Sequence, residues 1–351
     1  LIFSLLLGLL LIVLVFYDVY HGIVLPRQAV RRFRIAPVLV GRLAWIPYRN
    51  FGLKIKDPCM RDEYMGHYGV LVFFLLVATW LLLLITGFAC VFWALRDQLN
   101  PVLTDFTQAF YFAGTSILTI GFGDVLPLTP AARMAALAAG TAGLTLFGLC
   151  LSCVFNLQTL LFQREVLLAV LFSRLEGKFS GLNLLLQHSK FGTVEYLRSD
   201  IRDWEKWLAT VNESHRDFPL LAFFRSTGKG ESWVTCLGSM LDMCNILNSC
   251  ATEYDYGECL FFHRLGSSSA QLFCFYLALP VTAGGLITEA EFALGYDQLK
   301  QAGFVLKDQD SAWKAFSERR CEYAPYIMAL CKYYAANEPV WLLQNPSGIS
   351  L

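Results

Sequence analysis

The stretch AFYFAGTSILTIGFGD, residues 109–124, decides how the chain is read. It lies inside Pro101–Leu128, a segment too polar and too rich in glycine to cross a bilayer, and too apolar to be a free loop. Thr104-Asp105 ahead of it is a helix-start signal. Apolar runs long enough to span a membrane flank it on both sides. Irregular backbone at membrane depth persists only where protein buries it or where it lines a water-filled path. A short helix that dips inward, followed by an extended return, satisfies that condition, so the segment is predicted to be re-entrant.

Working outward, the flanking spans are Gly69–Leu95 and about Ala131–Leu160, the second opened by Thr129 as N-cap and Pro130 as first helical residue. A further apolar run from Leu1 to Tyr17 meets its first charge at Asp18, and it spans if it reaches about Ile23 or begins upstream. A secretory signal peptide is the alternative; no small-x-small cleavage site follows the run, and a basic segment does. Asp18, near a span end, is expected to snorkel or to pair with that basic segment. From Arg27 to Arg61 nine basic residues stand against one acidic residue, Asp57, the composition of a cytoplasmic linker. The positive-inside rule then runs the first span inward, the second outward and the third back to the cytoplasm.

Composition agrees. The 351 residues are 56% apolar and 16% charged, with a mean hydropathy of +0.49, against about 45–50% and about 25% in soluble domains. This excludes an ordinary soluble enzyme. The 28 basic and 28 acidic residues cancel, which argues against nucleic acid as a partner, since such binding needs a net basic footprint. Residues 1–163 carry a net +4 and residues 164–351 a net −4. Eleven cysteines, an odd number and several in apolar runs, argue for a reduced setting without a disulfide framework. The expected fold is an all-α membrane protein with three transmembrane helices plus a re-entrant pore helix and filter, followed by an all-helical cytoplasmic domain. Its predicted parts are an N-terminal transmembrane helix at 1–25, a basic linker at 26–63, a pore module at 64–163 and a helical domain at 164–351. Such a chain is multi-pass in the cell membrane, with lipid as its surroundings.

Within Thr119-Ile120-Gly121-Phe122-Gly123-Asp124 the glycines alternate with bulky residues, and glycine reaches left-handed dihedrals without a steric penalty. That alternation lets successive carbonyls point the same way, whereas in a strand they alternate. Several chains around an axis would then stack rings of oxygens from Thr119, Ile120, Gly121 and Phe122 that replace an ion's hydration shell, with the Thr119 hydroxyl adding a ring at the inner mouth. The preceding helix would turn its negative C-terminal end toward the cavity and favour a cation there. Ile120 would pack outward against that helix.

These six residues resemble the signature of potassium channels, usually TVGYG followed by Asp, and Ser116 stands three residues ahead of Thr119 where that family often has Thr. The order of outer helix, short helix, filter and inner helix over roughly Tyr64–Leu160 is similar to the single-pore bacterial channel module. The added N-terminal span, basic linker and helical C-terminal domain look like a less-studied group of bacterial members. The resemblance implies K+ as the permeant ion, held at Thr119, Ile120, Gly121, Phe122 and Gly123, and four copies per pore, since each chain has one filter. It assigns filter support to Ser116 and Asp124; for Asp124 a cation-attracting or solvated turn role also stands open. Three departures are visible. Phe122 replaces Tyr and loses a phenolic hydroxyl, Leu118 stands where a hydroxyl residue is usual, and Tyr111 and Phe112 occupy positions where tryptophans are common. In the inner helix, rich in alanine and glycine, Gly140 and Gly143 serve either close helix packing or a gating hinge.

From Arg164 onward the apolar spacing is helical in 164–179, 194–211, 232–247 and 311–335, with Gly181, Pro219, Gly228-Lys229-Gly230 and Gly284-Gly285 as breaks. The charge-free run Leu265–Ile287 is read as a buried helix and loop rather than a fourth span. No dinucleotide or P-loop fingerprint is present, the cysteines lack zinc-site spacing, and His188, His215 and His263 are scattered, so no organic cofactor and no regulatory ligand is named. The expected function is a passive potassium-selective channel, not an enzyme. A weakly selective monovalent cation channel and a membrane-anchored sensor with a vestigial pore are the alternatives.

Overall fold

The structure, a computed structural model, describes residues 1–24, 43–175, 179–226, 232–252, 257–282 and 284–342. The basic residues Arg27–Arg42 and the expected break at 228–230 lie outside these. The fold is all-α, with three helices long and apolar enough to cross a membrane and a single two-residue ribbon among the described residues. The chain forms two compact units: residues 1–50, 67–160 and 216–222 make the first, and residues 51–66, 161–215 and 223–351 the second.

In the first unit, α1 (Ile2–Val19) passes into a π-turn at Tyr20–Val24. It packs along α4 (Tyr68–Ala94), which follows two short helices, α2 (Trp45–Gly52) and α3 (Pro58–Gly66). A Cβ on Gly8 would stand 2.5 Å from the Gly87 carbonyl oxygen, so this crossing depends on the absence of a side chain. Ser4 Oγ donates to the Cys90 carbonyl at 2.8 Å beside it. At the other end of α1, Asp18 does not snorkel. It is 2% exposed and accepts a hydrogen bond from Trp80 Nε1 at 2.8 Å. A buried carboxylate must have donors, and the indole N–H of a buried Trp80 supplies one; of the basic segment that was the alternative partner for Asp18, Arg27–Arg42 lie outside the residues described.

The third long helix, α6, runs Pro130–Leu175, beginning in the first unit and ending in the second. The span expected over about Ala131–Leu160 is part of this longer helix, which runs on through Arg164, Glu165 and Arg174.

The second unit is organised around α9 (Trp233–Cys250), every residue of which is buried. Two of its polar side chains are held by bonds from neighbouring helices. Asp242 accepts two hydrogen bonds from Arg320, at 2.9 and 3.2 Å, and one from the Tyr323 hydroxyl at 2.5 Å, while Asn245 Nδ2 donates to the Phe316 carbonyl at 3.0 Å. Around α9 lie α7 (Gly181–Lys190), α8 (Leu197–Asp217), α10 (Gly257–Leu277), α11 (Glu289–Gln301), α12 (Gln309–Arg320) and α13 (Ala324–Tyr334). Gly181, expected as a break between helices, is the first residue of α7 behind the Ser180 cap. A Cβ there would meet Met243 N and Ser239 O at 2.5 Å, so the glycine serves helix contact. The single run expected at 311–335 divides at Cys321–Tyr323 into α12 and α13. The charge-free run 265–287 is helical to Leu277 but buried on one face only: Leu272 is 42% and Phe275 72% exposed.

Candidate functional site

The short helix α5 (Phe106–Ile117) starts where Thr104-Asp105 predicted: Asp105 accepts from the Gln108 amide at 3.0 Å, and Gln108 Oε1 takes the Thr104 amide at 2.9 Å. These bonds satisfy donors that a helix start leaves orphaned. Fully buried Ala109 and Ala113 let α5 lie close to α4, where the Phe112 and Phe92 rings pack with centroids 4.6 Å apart.

The glycine-rich return leaves the end of α5 at once. Thr119, Gly121 and Gly123 adopt φ of 56°, 61° and 82°, and the residues between them do not have positive φ. This alternation of handedness is the backbone pattern that turns successive carbonyls to a common side. For Thr119 a left-handed φ costs roughly 1–2 kcal/mol, and local bonds offset it. Its amide donates to the Ser116 carbonyl at 3.2 Å, while the Ile120 and Gly121 amides both reach the Thr115 carbonyl, at 2.9 and 3.4 Å. The acceptors are thus the backbone carbonyls of Ser116 and Thr115, and a backbone acceptor leaves no trace in a sequence.

Further along, the Phe122 ring stacks parallel to Tyr111, 6.4 Å between centroids, and the Tyr111 hydroxyl lies beside the Asp124 carboxylate. Tyr111, read from the sequence only as a departure, thus spans both halves of the segment. Two-residue strands β1 (Leu99–Asn100) and β2 (Leu126–Pro127) pair antiparallel and clip together the ends of the whole re-entrant stretch. Thr129 caps α6 as expected, donating also to Gln98. Residues 118–124 are exposed, including Ile120 at 50%, so Ile120 is not packed against α5 within one chain.

The two inner-helix glycines differ. A Cβ on Gly143 would stand 2.0 Å from the Ile117 carbonyl oxygen, whereas one on Gly140 would meet Ser116 O at an ordinary 3.6 Å. The helix passes through both without a break.

A second constellation, which the sequence did not announce, lies within the second unit at Phe224-Arg225-Ser226. The Phe224 carbonyl accepts from the buried Arg164 of α6 at 2.8 Å, and the Ser226 hydroxyl donates to Glu165 at 3.2 Å. Arg225 between them pairs with Asp62 of α3 and caps α13 by donating to the Tyr334 and Ala335 carbonyls at 2.9 and 2.8 Å. Trp207 Nε1 adds a bond to the Arg164 carbonyl at 3.0 Å. Three residues thereby join the continuation of α6 to the helix that precedes α4.

Residues 70–159 match a protein-family model described as ion channel, which covers the site and both flanking spans. A stretch of 46 residues is 39% identical to a hyperpolarization-activated voltage-gated potassium channel of Methanocaldococcus jannaschii; it makes up 13% of this chain and 22% of that protein. The chain thus spans about a fifth of the length of that relative. No solved structure matches the chain. Fold and spans make this an all-α membrane protein, and residues 70–159 of it are similar to ion channels.

Proposed function

We propose that the chain forms a potassium-selective channel of four copies, conducting K+ passively past carbonyls of Thr119, Ile120, Gly121 and Phe122, with Gly123 closing the series. The observation that carries this is the alternation of left-handed backbone at Thr119, Gly121 and Gly123, placed between two spans and behind α5. The family match and the potassium channel relative support it. Thr119 would contribute its hydroxyl as an inner ring, and Tyr111 with Asp124 would hold the outer end. The chain acts as a pore and not as an enzyme. It sits in the cell membrane with its second unit on the cytoplasmic side, following the basic bias of residues 27–61. Voltage dependence is weak in this reading, since those basic residues do not recur every third position in an apolar helix.

The second unit sets the gate. It contains residues 51–66, which lead into α4, and residues 161–175, which continue α6, so both covalent exits of the pore module belong to it. The Phe224–Ser226 strap holds these two exits to each other. Gly140 remains the candidate hinge; Gly143 combines that possibility with a packing role.

The test is the reversal potential of purified protein in a planar bilayer under bi-ionic potassium and sodium, with Gly121→Asp as control. A potassium-selective current that Gly121→Asp abolishes is expected. Equal permeability would favour the weakly selective alternative motivated by Leu118 and Phe122. Silence both from the folded full chain and from a chain cut after Arg164 would leave only the vestigial pore.

A further inference from the structure

The exposed side of α10 carries Phe261, Leu265, Ser268, Leu272 and Phe275. Their spacing of four, three, four and three residues confines them to an arc of roughly 80° at 100° per residue. Phe261 is 60% and Phe275 72% exposed, while the opposite side of the helix is packed through Phe262, Ala270 and Phe273. Large apolar side chains in a continuous stripe on a polar unit mark a contact surface.

The stripe reads the same in both directions: Phe, Leu, Ser, Leu, Phe. We infer that it is a self-complementary seam through which two copies of this chain pair α10 against α10, antiparallel, about a two-fold axis at Ser268. Such an isologous contact requires one patch to match itself after a half-turn. With Ser268 opposite Ser268, Leu265 meets Leu272 of the second copy and Phe261 meets Phe275, and the small central residue lets the backbones approach. The flanks agree as well. Arg264 lies one position from the level of Gln271 of the second copy, which offers it an amide oxygen, and the two Arg264 side chains stand about 12 Å apart along the axis at 1.5 Å per residue. Antiparallel helices also oppose their dipoles favourably.

A membrane surface suits the stripe less well. Helices that lie on anionic lipid carry several Lys or Arg on the polar face, and α10 has only Arg264. In a ring of four, the seam would join copies two by two; between rings it would join neighbouring pores. The inference goes beyond the channel reading and does not require conduction.

Disulfide trapping in native membranes tests it, in the full chain with Cys59→Ser and Cys321→Ser removing the exposed thiols among the described residues. Cα atoms more than about 7 Å apart cannot be bridged. Ser268→Cys should therefore give a covalent dimer on oxidation. Phe261→Cys should not, because antiparallel pairing sets its two copies about 21 Å apart. Adding Phe275→Glu, at an exposed site, should remove the Ser268→Cys dimer. Equal dimer from Ser268→Cys and Phe261→Cys, no dimer from either, or a Ser268→Cys dimer that survives Phe275→Glu would each overturn the seam. So would a spin label at Ser268→Cys that responds to lipid-dissolved oxygen, which would assign the stripe to the bilayer.

Discussion

Gly143→Ala is the substitution that the geometry of the pore module judges most sharply. The added methyl would stand 2.0 Å from the Ile117 carbonyl oxygen, where carbon and carbonyl oxygen keep about 3.3 Å. A gap of about 1.3 Å must open between α6 and the end of α5. Both neighbours on the α5 side are committed: the Thr115 and Ser116 carbonyls, two and one residues before Ile117, hold the amides of Ile120 and Thr119 at 2.9 and 3.2 Å. A displacement of that size taken up by α5 stretches these bonds beyond hydrogen-bonding range. Overpacking of a tight contact costs about 1–3 kcal/mol, and each backbone bond lost adds about 0.5–1.5 kcal/mol. A total of about 2–4 kcal/mol against the conducting geometry lowers its population roughly 30- to 1,000-fold. Single-channel recording with the bi-ionic reversal potential reads this as lost openings and eroded selectivity. Gly140→Ala is the matched control, since its methyl would meet Ser116 O at 3.6 Å and needs no displacement. Wild-type conduction from Gly143→Ala, or equal damage from Gly140→Ala, would refute the reasoning; the second result would point to a hinge.

The strap predicts that Asp62→Ala, which removes the ion contact and leaves the bonds from Arg225 to the Tyr334 and Ala335 carbonyls in place, shifts open probability; an unchanged open probability would count against coupling. Trp80→Phe keeps an aromatic side chain but removes the N–H whose hydrogen bond Asp18 accepts, and an under-satisfied buried carboxylate costs about 1–3 kcal/mol; thermal unfolding in detergent should begin several degrees lower, and an unchanged transition would show that other donors suffice. Burial among Trp233 and Phe273, with Arg164 nearby, holds His215 down to about 3, its Nδ1–H bonded to the Val211 carbonyl at 2.8 Å. The unfolded chain, with a histidine near 6.5, binds the proton first as pH falls, so this contribution is intact above pH 6.5 and is lost progressively toward pH 3, by about 2 kcal/mol at pH 5. Urea unfolding followed by tryptophan fluorescence at pH 7.5 and pH 5 should show that loss in the wild type and a smaller pH slope in His215→Phe; equal slopes would assign the acid sensitivity elsewhere.

What was legible in the sequence follows from how each constraint acts. Left-handed backbone must recruit permissive residues, so Gly121 and Gly123 show in the sequence, and Asp105 and Thr129 show because a helix start needs a side-chain acceptor within three residues. The same local logic placed a helix boundary at Gly181 without its cause, the close contact with α9. It was silent on Thr115, whose backbone carbonyl does the work, and on Gly143, whose constraint lies across space at Ile117. Asp18 was misplaced because a charge at a span end and a charge turned inward onto Trp80, 62 positions away, leave the same local pattern. The strap was illegible for that reason in stronger form. Arg225 and Asp62 stand 163 positions apart, and Arg164 and Phe224 stand 60 apart. No periodicity or spacing encodes such pairs. Elements built by local backbone chemistry can thus be read directly, while those tied together by distant partners become visible only once the chain is folded.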